Sequence, residues 1–217
     1  AGTGCISTAD TVRLSRRAWQ LGVDALSVIT PSFAAASQQE LYLHYKEIAK
    51  QVDLPIVLYN IPQRTGNRLL PQTVRRLAEE IEQIAGIKDS SGNFDNTLRY
   101  IEETPDDFIV LCGNDSLILW TLAAGGNGGI SGCANVCPEV MVSIYEHFAA
   151  GQWEEARKVQ DSIRPLRDCF KLGNPNSIVK RATNLLGYPV GPAKAPFSLE
   201  DPAIDEKLRA AIAPYMA

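Results

Sequence analysis

The sequence predicts an α/β protein built on parallel strands. Short runs of residues are almost continuously apolar, as strands buried on both faces of a sheet are, and each run ends in a polar or glycine-rich turn. Amphipathic stretches of helical period separate the runs, and successive strands begin roughly 20–30 residues apart, which is the spacing of βα units. The predicted strands are 25–30, 54–60, 84–88, 108–112 and 129–131.

Helices are predicted between these strands and again after them. Among the first are 37–52, with Ser37 as N-cap and Glu40 in capping-box position, and 71–80. Repeated βα units indicate either a doubly wound sheet or a (β/α)8 barrel. We expect this βα part to span residues 1–150 and a C-terminal helical domain to span residues 151–217. The helices predicted in that domain are 153–170, 176–186 and 201–215, with a proline-rich break before the last.

Composition excludes several classes of protein. The 217 residues carry a net charge of −4 and scattered cations, which disfavours a nucleic-acid partner. No apolar stretch approaches the roughly 18–20 residues that span a bilayer, so no membrane partner is expected. The five cysteines are irregularly spaced and there are two histidines, which predicts a reduced, cytoplasmic protein with no disulfide framework and no bound metal. The glycine-rich stretch 125–129 precedes a strand and is predicted to be a tight turn, not a phosphate-binding loop.

Reactive side chains collect where the predicted strands end. Tyr59 and Asn60 end one strand, Lys88 and Asp89 the next, and Gly113 follows the third. The carboxyl ends of parallel strands share one edge, where ligand sites form in both barrels and doubly wound sheets. The sequence therefore predicts an active site at that edge.

Lys88 is the candidate nucleophile. It follows an apolar run directly, and lysine is seldom buried without a partner or a function. Burial favours the neutral amine, which attacks a ketone to form a Schiff base. The alternative is a structural lysine whose ammonium group reaches water from the end of an edge strand.

Two further side chains have a functional and a structural interpretation. The Tyr59 hydroxyl is expected to relay protons beside Lys88, although it could equally be a core tyrosine with a satisfied hydroxyl. Arg64 in the following loop would bind a substrate carboxylate if it pointed inward, and otherwise it is a surface charge.

Together these segments resemble the dihydrodipicolinate synthase / N-acetylneuraminate lyase family of pyruvate-dependent class I aldolases. The pair "YNIPQRTG" and "GIKDSSG" is fairly specific, and matching stretches cover almost the whole chain in order. The others are "AGTG", "VITP", "VLCGND", "GGISGCAN" and "NPNSIVKRA".

The resemblance implies a (β/α)8 barrel with a C-terminal helical domain, usually a homotetramer and otherwise a dimer. It implies that Lys88 forms a Schiff base with pyruvate or another 2-oxo acid, that Tyr59 is the proton relay, and that no cofactor is needed. The main-chain carbonyl of Ile130 would help to place the acid. Gly113 and Thr3, which lie in matching stretches, are further candidates for substrate binding.

Three departures from the family pattern bear on these expectations. "AGTG" is similar to the end of the family's third strand, so we expect a longer protein whose first two strands and Gly-Thr-Thr loop precede this sequence. Ser32 and Phe33 stand where the synthases have two tyrosines, and Phe33 has no hydroxyl to relay a proton. Ile6 stands where lysine-inhibited synthases carry an asparagine, which disfavours feedback inhibition by lysine.

The leading hypothesis is a lyase of the dihydrodipicolinate synthase type that condenses a 2-oxo acid with an aldehyde or catalyses the reverse cleavage. N-acetylneuraminate or 2-keto-3-deoxy sugar acids are the alternative substrates. Ser32 and Phe33 leave open a catalytically silent paralogue that binds a 2-oxo acid. A doubly wound nucleotide-binding protein is disfavoured, because no glycine-rich loop leads from a strand into a helix.

Overall fold

The computed structural model describes residues 1–197 and 201–216. The chain divides into two compact units, one formed by 1–114 with 123–129 and the other by 115–122 with the residues from 130 onward. The predicted domain boundary near residue 150 stays a prediction. Among the helices formed by the described residues, none combines the length and the apolar composition that a membrane-spanning helix needs.

The first unit contains a five-stranded parallel sheet in the order β1-β2-β3-β4-β5. A doubly wound sheet reverses its order at a switch point, whereas this order is sequential, as in a barrel. Gly2 adds an isolated parallel bridge to Ser27 on the other side of β1. The strands are β1 (Leu26–Ile29), β2 (Ile56–Asn60), β3 (Ile84–Asp89), β4 (Ile109–Cys112) and β5 (Gly128–Gly129).

Helices follow the strands as the sequence predicts. Ser37 caps α2 and forms a complete capping box with Glu40. A proline at N1 begins α4, where its missing N–H would have no helical partner. The helices up to the fifth strand are α1 (Thr8–Gln20), α2 (Gln38–Ala49), α3 (Pro62–Thr65), α4 (Pro71–Glu80), α5 (Phe94–Glu103) and α6 (Ile118–Ala123).

The core of the first unit lies where the sheet meets these helices. The apolar residues of β1 to β3 are buried beside those of α2 and α4, as strands covered on both faces require. Complete burial of one such side chain contributes roughly 1.5–3 kcal/mol. Among the fully buried residues are Leu26, Val28, Leu41, Ile48, Ile56, Leu58, Leu77 and Ile87.

The second unit is helical. The single helix predicted over 153–170 is in fact two, because the chain turns at Ile163 and a proline follows at the second position of the next helix. The proline-rich stretch 187–197 is irregular, as predicted. The helices are α7 (Pro138–Ala149), α8 (Trp153–Ser162), α9 (Arg164–Cys169), α10 (Pro175–Leu185) and α11 (Pro202–Ile212), with short 3₁₀ turns between some of them.

Candidate active site

Tyr59 and Lys88 lie side by side at the carboxyl ends of β2 and β3. They are register partners in the parallel ladder. The Lys88 Nζ atom lies 4.1 Å from the centre of the Tyr59 ring. The amine therefore sits over the face of the ring, and the tyrosine hydroxyl extends beyond it. The structure brings the two residues together, while their catalytic roles stay predictions.

A second cross-strand pair, Asn60 and Asp89, lies one residue further along the same strands. The Asn60 Nδ2 donates to Asp89 Oδ1 over 3.0 Å, and the two residues are 0% and 3% exposed. Side chains alternate between the faces of a strand, so this pair occupies the face opposite Tyr59 and Lys88. A buried hydrogen bond to a carboxylate thus joins the two strand ends directly behind the candidate nucleophile.

The Asp89 carboxylate is stabilised by hydrogen bonds and not by an ion pair, within the described residues. Besides Asn60, it accepts from the Ser91 N–H at 3.0 Å, the Ser91 hydroxyl at 3.0 Å and the Thr97 hydroxyl at 2.7 Å. Within the described residues it has no ion-pair partner. Burying a charge is costly unless it is hydrogen-bonded, and here both carboxylate oxygens are satisfied.

The loop after β2 is tied to the same network. Asn60 Oδ1 accepts from the Leu69 N–H at 3.1 Å, and the Leu69 carbonyl accepts from the Tyr100 hydroxyl at 2.5 Å. Burial, reinforced by the nearby Asp89 charge, raises the pKa of Tyr100 far above its usual range. Tyr100 therefore keeps its proton and remains a donor to this loop.

Gly113, just past the end of β4, packs directly against the site. Its N–H donates to the Asp89 carbonyl at 2.8 Å. A Cβ at this position would lie 1.8 Å from the Ser90 Oγ and 3.0 Å from the Lys88 Cε. Only glycine leaves room for the lysine side chain here, which is a structural reason for the residue type at this predicted site position.

Two of the predicted substrate-binding residues, Arg64 and Thr3, make no hydrogen bond to Lys88 or Tyr59 among the described residues. The Arg64 side chain is exposed on α3 and, within the part of the chain described, makes no hydrogen bond or ion pair. The Thr3 hydroxyl is buried and hydrogen-bonds with the Ser15 hydroxyl of α1 at 2.9 Å. The structure does not join either side chain to Lys88, and their binding roles stay predictions.

The loop that carries Phe33 is held by hydrogen bonds from Asn67, which lies more than thirty residues further along the chain. The Asn67 Nδ2 donates to the carbonyls of Pro31 and Ala34, both at 2.8 Å. Phe33 itself is 96% exposed and has φ of +82°, a left-handed conformation that is uncommon for an aromatic residue. Its backbone N–H donates to the Thr65 carbonyl at 3.3 Å. The aromatic side chain is thus presented to solvent by a loop that is itself well anchored.

In the second unit, Ile130 begins a turn that is stabilised by a hydrogen bond to the Asp115 side chain. Ile130 lies just after β5, which ends one residue earlier. The buried Asp115 accepts from the Gly132 N–H at 3.0 Å, and its other oxygen lies 4.0 Å from the Arg167 Nε. Cys133 follows in this turn as a small buried residue, and burial raises the pKa of its thiol. A substrate-binding role for the Ile130 carbonyl stays a prediction.

Sequence reasoning missed part of this arrangement. It singled out Asn60 and Asp89 only as strand ends, and it gave Ser90, Asn67 and Thr97 no role. Because side chains alternate along a strand, the sequence of β3 could have placed Asp89 on one face of the sheet and Lys88 and Ser90 on the other. By contrast, no local pattern connects Asn67 to a loop more than thirty residues away.

Comparisons with known proteins bear on the fold and on the family of this chain. The sequence matches the dihydrodipicolinate synthetase family over residues 1–214. The 4-hydroxy-tetrahydrodipicolinate synthase of Methanopyrus kandleri is 45% identical over 197 residues, which cover 90% of this chain and 65% of that protein. The chain thus spans about two thirds of the length of this curated relative.

Two solved structures are similar throughout the chain. Dihydrodipicolinate synthase from Thermotoga maritima superposes with a TM-score of 0.95 at 35% identity, covering 98% of this chain and 73% of that one. A prophage protein of the dihydrodipicolinic acid synthase family from E. coli K12, solved in complex with pyruvate, gives 0.94 at 31% identity, with 98% and 73% covered.

These comparisons confirm two predictions. The fold is of the (β/α)8 barrel class, in agreement with the sequential parallel sheet, and the relatives carry names of enzymes of the predicted lyase class. On the sequence match and on the structures, the chain belongs to the dihydrodipicolinate synthetase family.

Proposed function

We propose that this protein is a Schiff-base-forming lyase that condenses pyruvate with an aldehyde, as a 4-hydroxy-tetrahydrodipicolinate synthase. The observation that carries the proposal is the placement of the Lys88 amine over the Tyr59 ring at the ends of two adjacent strands. The names of the relatives support the synthase over the sugar-acid lyases, and aspartate semialdehyde is the aldehyde to test first.

Lys88 is the nucleophile in this proposal. Its amine adds to C2 of pyruvate, water leaves, and the resulting iminium withdraws electrons from the methyl carbon. Loss of a methyl proton gives an enamine, which forms the new carbon–carbon bond with the aldehyde. Hydrolysis of the imine then releases the product and the free lysine.

Tyr59 moves the protons. Formation and dehydration of the carbinolamine both transfer protons near the amine, and a positioned hydroxyl contributes roughly 10²–10⁴-fold to such steps. The hydrogen bond between Asn60 and Asp89 keeps the ends of the two strands in register, so that the tyrosine and the lysine stay adjacent.

The substrate carboxylate needs a cation or a set of donors. Arg64 has an exposed, unpaired guanidinium within the described residues and is the candidate for a carboxylate. Gly113 leaves space beside Lys88, and we propose that this space lets the substrate approach the amine closely. We keep Thr3 and the Ile130 carbonyl as further candidates for substrate binding.

Borohydride trapping tests the proposal directly. The natural protein is incubated with pyruvate, reduced, and analysed by intact mass and peptide mapping. We expect a reduced adduct on the peptide that carries Lys88, and none in Lys88→Arg, because a guanidinium forms no such imine. The matched control Lys50→Arg replaces an exposed lysine of the same unit and should be modified like the wild type.

The outcomes separate the hypotheses. An adduct on Lys88 with turnover of aspartate semialdehyde supports the synthase, and an adduct without turnover of any aldehyde tested supports a 2-oxo-acid-binding paralogue. A folded protein that gives no adduct with pyruvate contradicts the proposal.

We further propose a cytoplasmic homo-oligomer, a tetramer or a dimer. The support is the resemblance to the family described above, which implies a homotetramer or a dimer, together with the match to the dihydrodipicolinate synthetase family over residues 1–214. Mass photometry of the natural protein tests the oligomer, and a purely monomeric species would contradict it.

A further inference from the structure

Ser90 has a buried hydroxyl with no hydrogen-bond partner among the described residues. Leaving a buried hydroxyl unpaired costs free energy, so native structures rarely do it without a reason. Alanine would occupy the same place without that cost. The hydroxyl therefore calls for an explanation.

The hydroxyl lies beside the candidate nucleophile. The Ser90 N–H donates to the Asn60 carbonyl at 2.8 Å, so the parallel ladder continues through this residue. Alternation along the strand puts the Ser90 side chain on the same face as Lys88. The contacts around Gly113 agree, because a Cβ there would meet both the Ser90 Oγ at 1.8 Å and the Lys88 Cε at 3.0 Å.

The turn after β3 does not use this hydroxyl. The next residue, Ser91, donates its hydroxyl to Asp89 and accepts from the Asn93 N–H, which is ordinary turn chemistry. Ser90 takes part in the turn through its backbone alone. A structural role thus explains the hydroxyl of Ser91 and leaves that of Ser90 unexplained.

We propose that the Ser90 hydroxyl donates a hydrogen bond to the oxygen on C2 of the 2-oxo acid that reacts with Lys88. The inference rests on the proposed function and adds a substrate-binding residue to it. When the amine adds to C2, the π electrons of the carbonyl move to this oxygen, which takes up a proton while the nitrogen loses one. The resulting carbinolamine then loses its hydroxyl as water, and the C=N bond forms.

The chemistry suits a hydroxyl at this place. Negative charge develops on the C2 oxygen during the addition, and a donor fixed at that point stabilises the transition state more than the free substrate. The bound oxygen also satisfies the serine hydroxyl. Ser90 is therefore expected to lower the stability of the free protein and to speed imine formation.

Ser90→Ala tests the inference, with Thr121→Val as its matched control. Thr121 has the other fully buried hydroxyl without a partner in the described residues, and it lies on α6, outside the proposed machinery. Each variant removes one such hydroxyl. Thermal unfolding gives Tm, and quenching with borohydride at successive times gives the rate of adduct formation on Lys88.

We expect both variants to keep or raise the Tm of the free protein. Only Ser90→Ala should slow adduct formation, by about tenfold or more, since removal of a fixed donor at a developing oxyanion typically costs roughly 10²–10³-fold. The adduct mass should be unchanged. Pyruvate should raise the Tm of Ser90→Ala less than that of the wild type.

Adduct formation at the wild-type rate in Ser90→Ala overturns the inference, as does an equal slowing in Thr121→Val. A lower Tm in both Ser90→Ala and Ser90→Gly also overturns it, because the hydroxyl would then have a structural partner. Failure of the proposed function is distinct, since the wild type itself would give no adduct.

Discussion

The Lys88 Nζ atom lies 4.1 Å from the centre of the Tyr59 ring, so the amine contacts the aromatic face and not the hydroxyl. Two properties of Tyr59 can therefore matter. In the proposed mechanism, the ring positions the amine through its face, and the hydroxyl relays protons once an adduct occupies the site. Single substitutions separate these properties.

Tyr59→Phe retains the ring and removes the hydroxyl, whereas Tyr59→Leu removes both. We expect Tyr59→Phe to lower kcat roughly 10²–10⁴-fold, which is the usual contribution of a positioned acid–base group. It should still form the adduct on Lys88, more slowly than the wild type. Tyr59→Leu should form the adduct more slowly again, because the amine loses its contact with the ring.

Steady-state kinetics and borohydride trapping check this prediction. The comparison of phenylalanine with leucine is its own control, since neither has a hydroxyl. Wild-type kcat in Tyr59→Phe would show that the hydroxyl carries no proton in the slow step.

The hydrogen bond between Asn60 and Asp89 is expected to matter for stability as well as for the site. Asp89→Asn replaces a carboxylate that accepts four hydrogen bonds with a neutral amide. The side chains of residues 60 and 89 are then both amides. Hydrogen bonds to charged groups contribute about 1.5–3 kcal/mol each, and a buried donor left unpaired costs a similar amount. We expect the free energy of unfolding to fall by about 2–4 kcal/mol.

The exchange of the two residues is the sharper test. Asn60→Asp combined with Asp89→Asn restores the bond with donor and acceptor reversed, and the Leu69 N–H still finds an oxygen on residue 60. Urea unfolding of the two single variants and the double variant gives a coupling energy. We expect the double variant to be more stable than the sum of the single effects, and strict additivity would contradict a direct bond.

The sequence predicted the first four strands to within two residues, the cap of α2 and the strand-end residues, because each depends on neighbours within a few positions. The fifth strand was predicted over 129–131, whereas β5 is Gly128–Gly129 and ends before Ile130. The run that ends at Lys88 is apolar in every buried position, so its burial could be inferred from the continuous apolar run, and the observed strand ends one residue later, at Asp89. Tyr59 could be placed beside Lys88 because consecutive parallel strands pair in register at one edge.

The contacts made across long sequence separations could not be predicted in this way. Asn67 fixes the Phe33 loop through carbonyls that any residue would offer, so the sequence carries no signal for the pairing. Likewise, the buried Thr3 hydroxyl faces Ser15 of α1, whereas the resemblance indicated only a substrate role. The packing of Ser90 against Gly113 depends on where β4 ends relative to β3, which strand spacing alone does not fix.

Gly113→Ala is expected to damage the site. The added methyl would lie 1.8 Å from the Ser90 Oγ and 3.0 Å from the Lys88 Cε, so both side chains must move. Overpacking of this kind typically costs about 1–3 kcal/mol, and displacement of the nucleophile by 1 Å can cost roughly 10²-fold in rate.

A second substitution tests whether the clash is the cause. Ser90→Gly removes the closer contact, so the double variant Gly113→Ala/Ser90→Gly should recover much of the lost stability. It should recover little activity, since the contact with Lys88 remains and the serine hydroxyl is gone. Thermal unfolding and borohydride trapping measure the two effects, and a double variant no more stable than Gly113→Ala would rule out the serine contact as the cause.

His44 makes stability depend on pH. Its side chain is 5% exposed on α2, the Thr8 hydroxyl hydrogen-bonds to Nδ1 at 2.9 Å, and Nε2 has no partner among the described residues. Burial lowers the pKa of His44 to about 4 from its ordinary 6.5. Between these two values the unfolded chain binds a proton that the folded protein does not, so acid favours unfolding.

The contribution of His44 is therefore complete above pH 6.5 and is lost as the pH falls toward 4. The slope approaches about 1.4 kcal/mol per pH unit inside this window, so we expect roughly 1–2 kcal/mol less stability at pH 5 than at pH 7 from this residue. His44→Gln cannot titrate, and the difference between the two proteins cancels the carboxylates that titrate in both. Urea unfolding from pH 4.5 to 7.5 should thus give a shallower slope for the variant, and parallel curves would show that His44 stays accessible to protons in the folded protein.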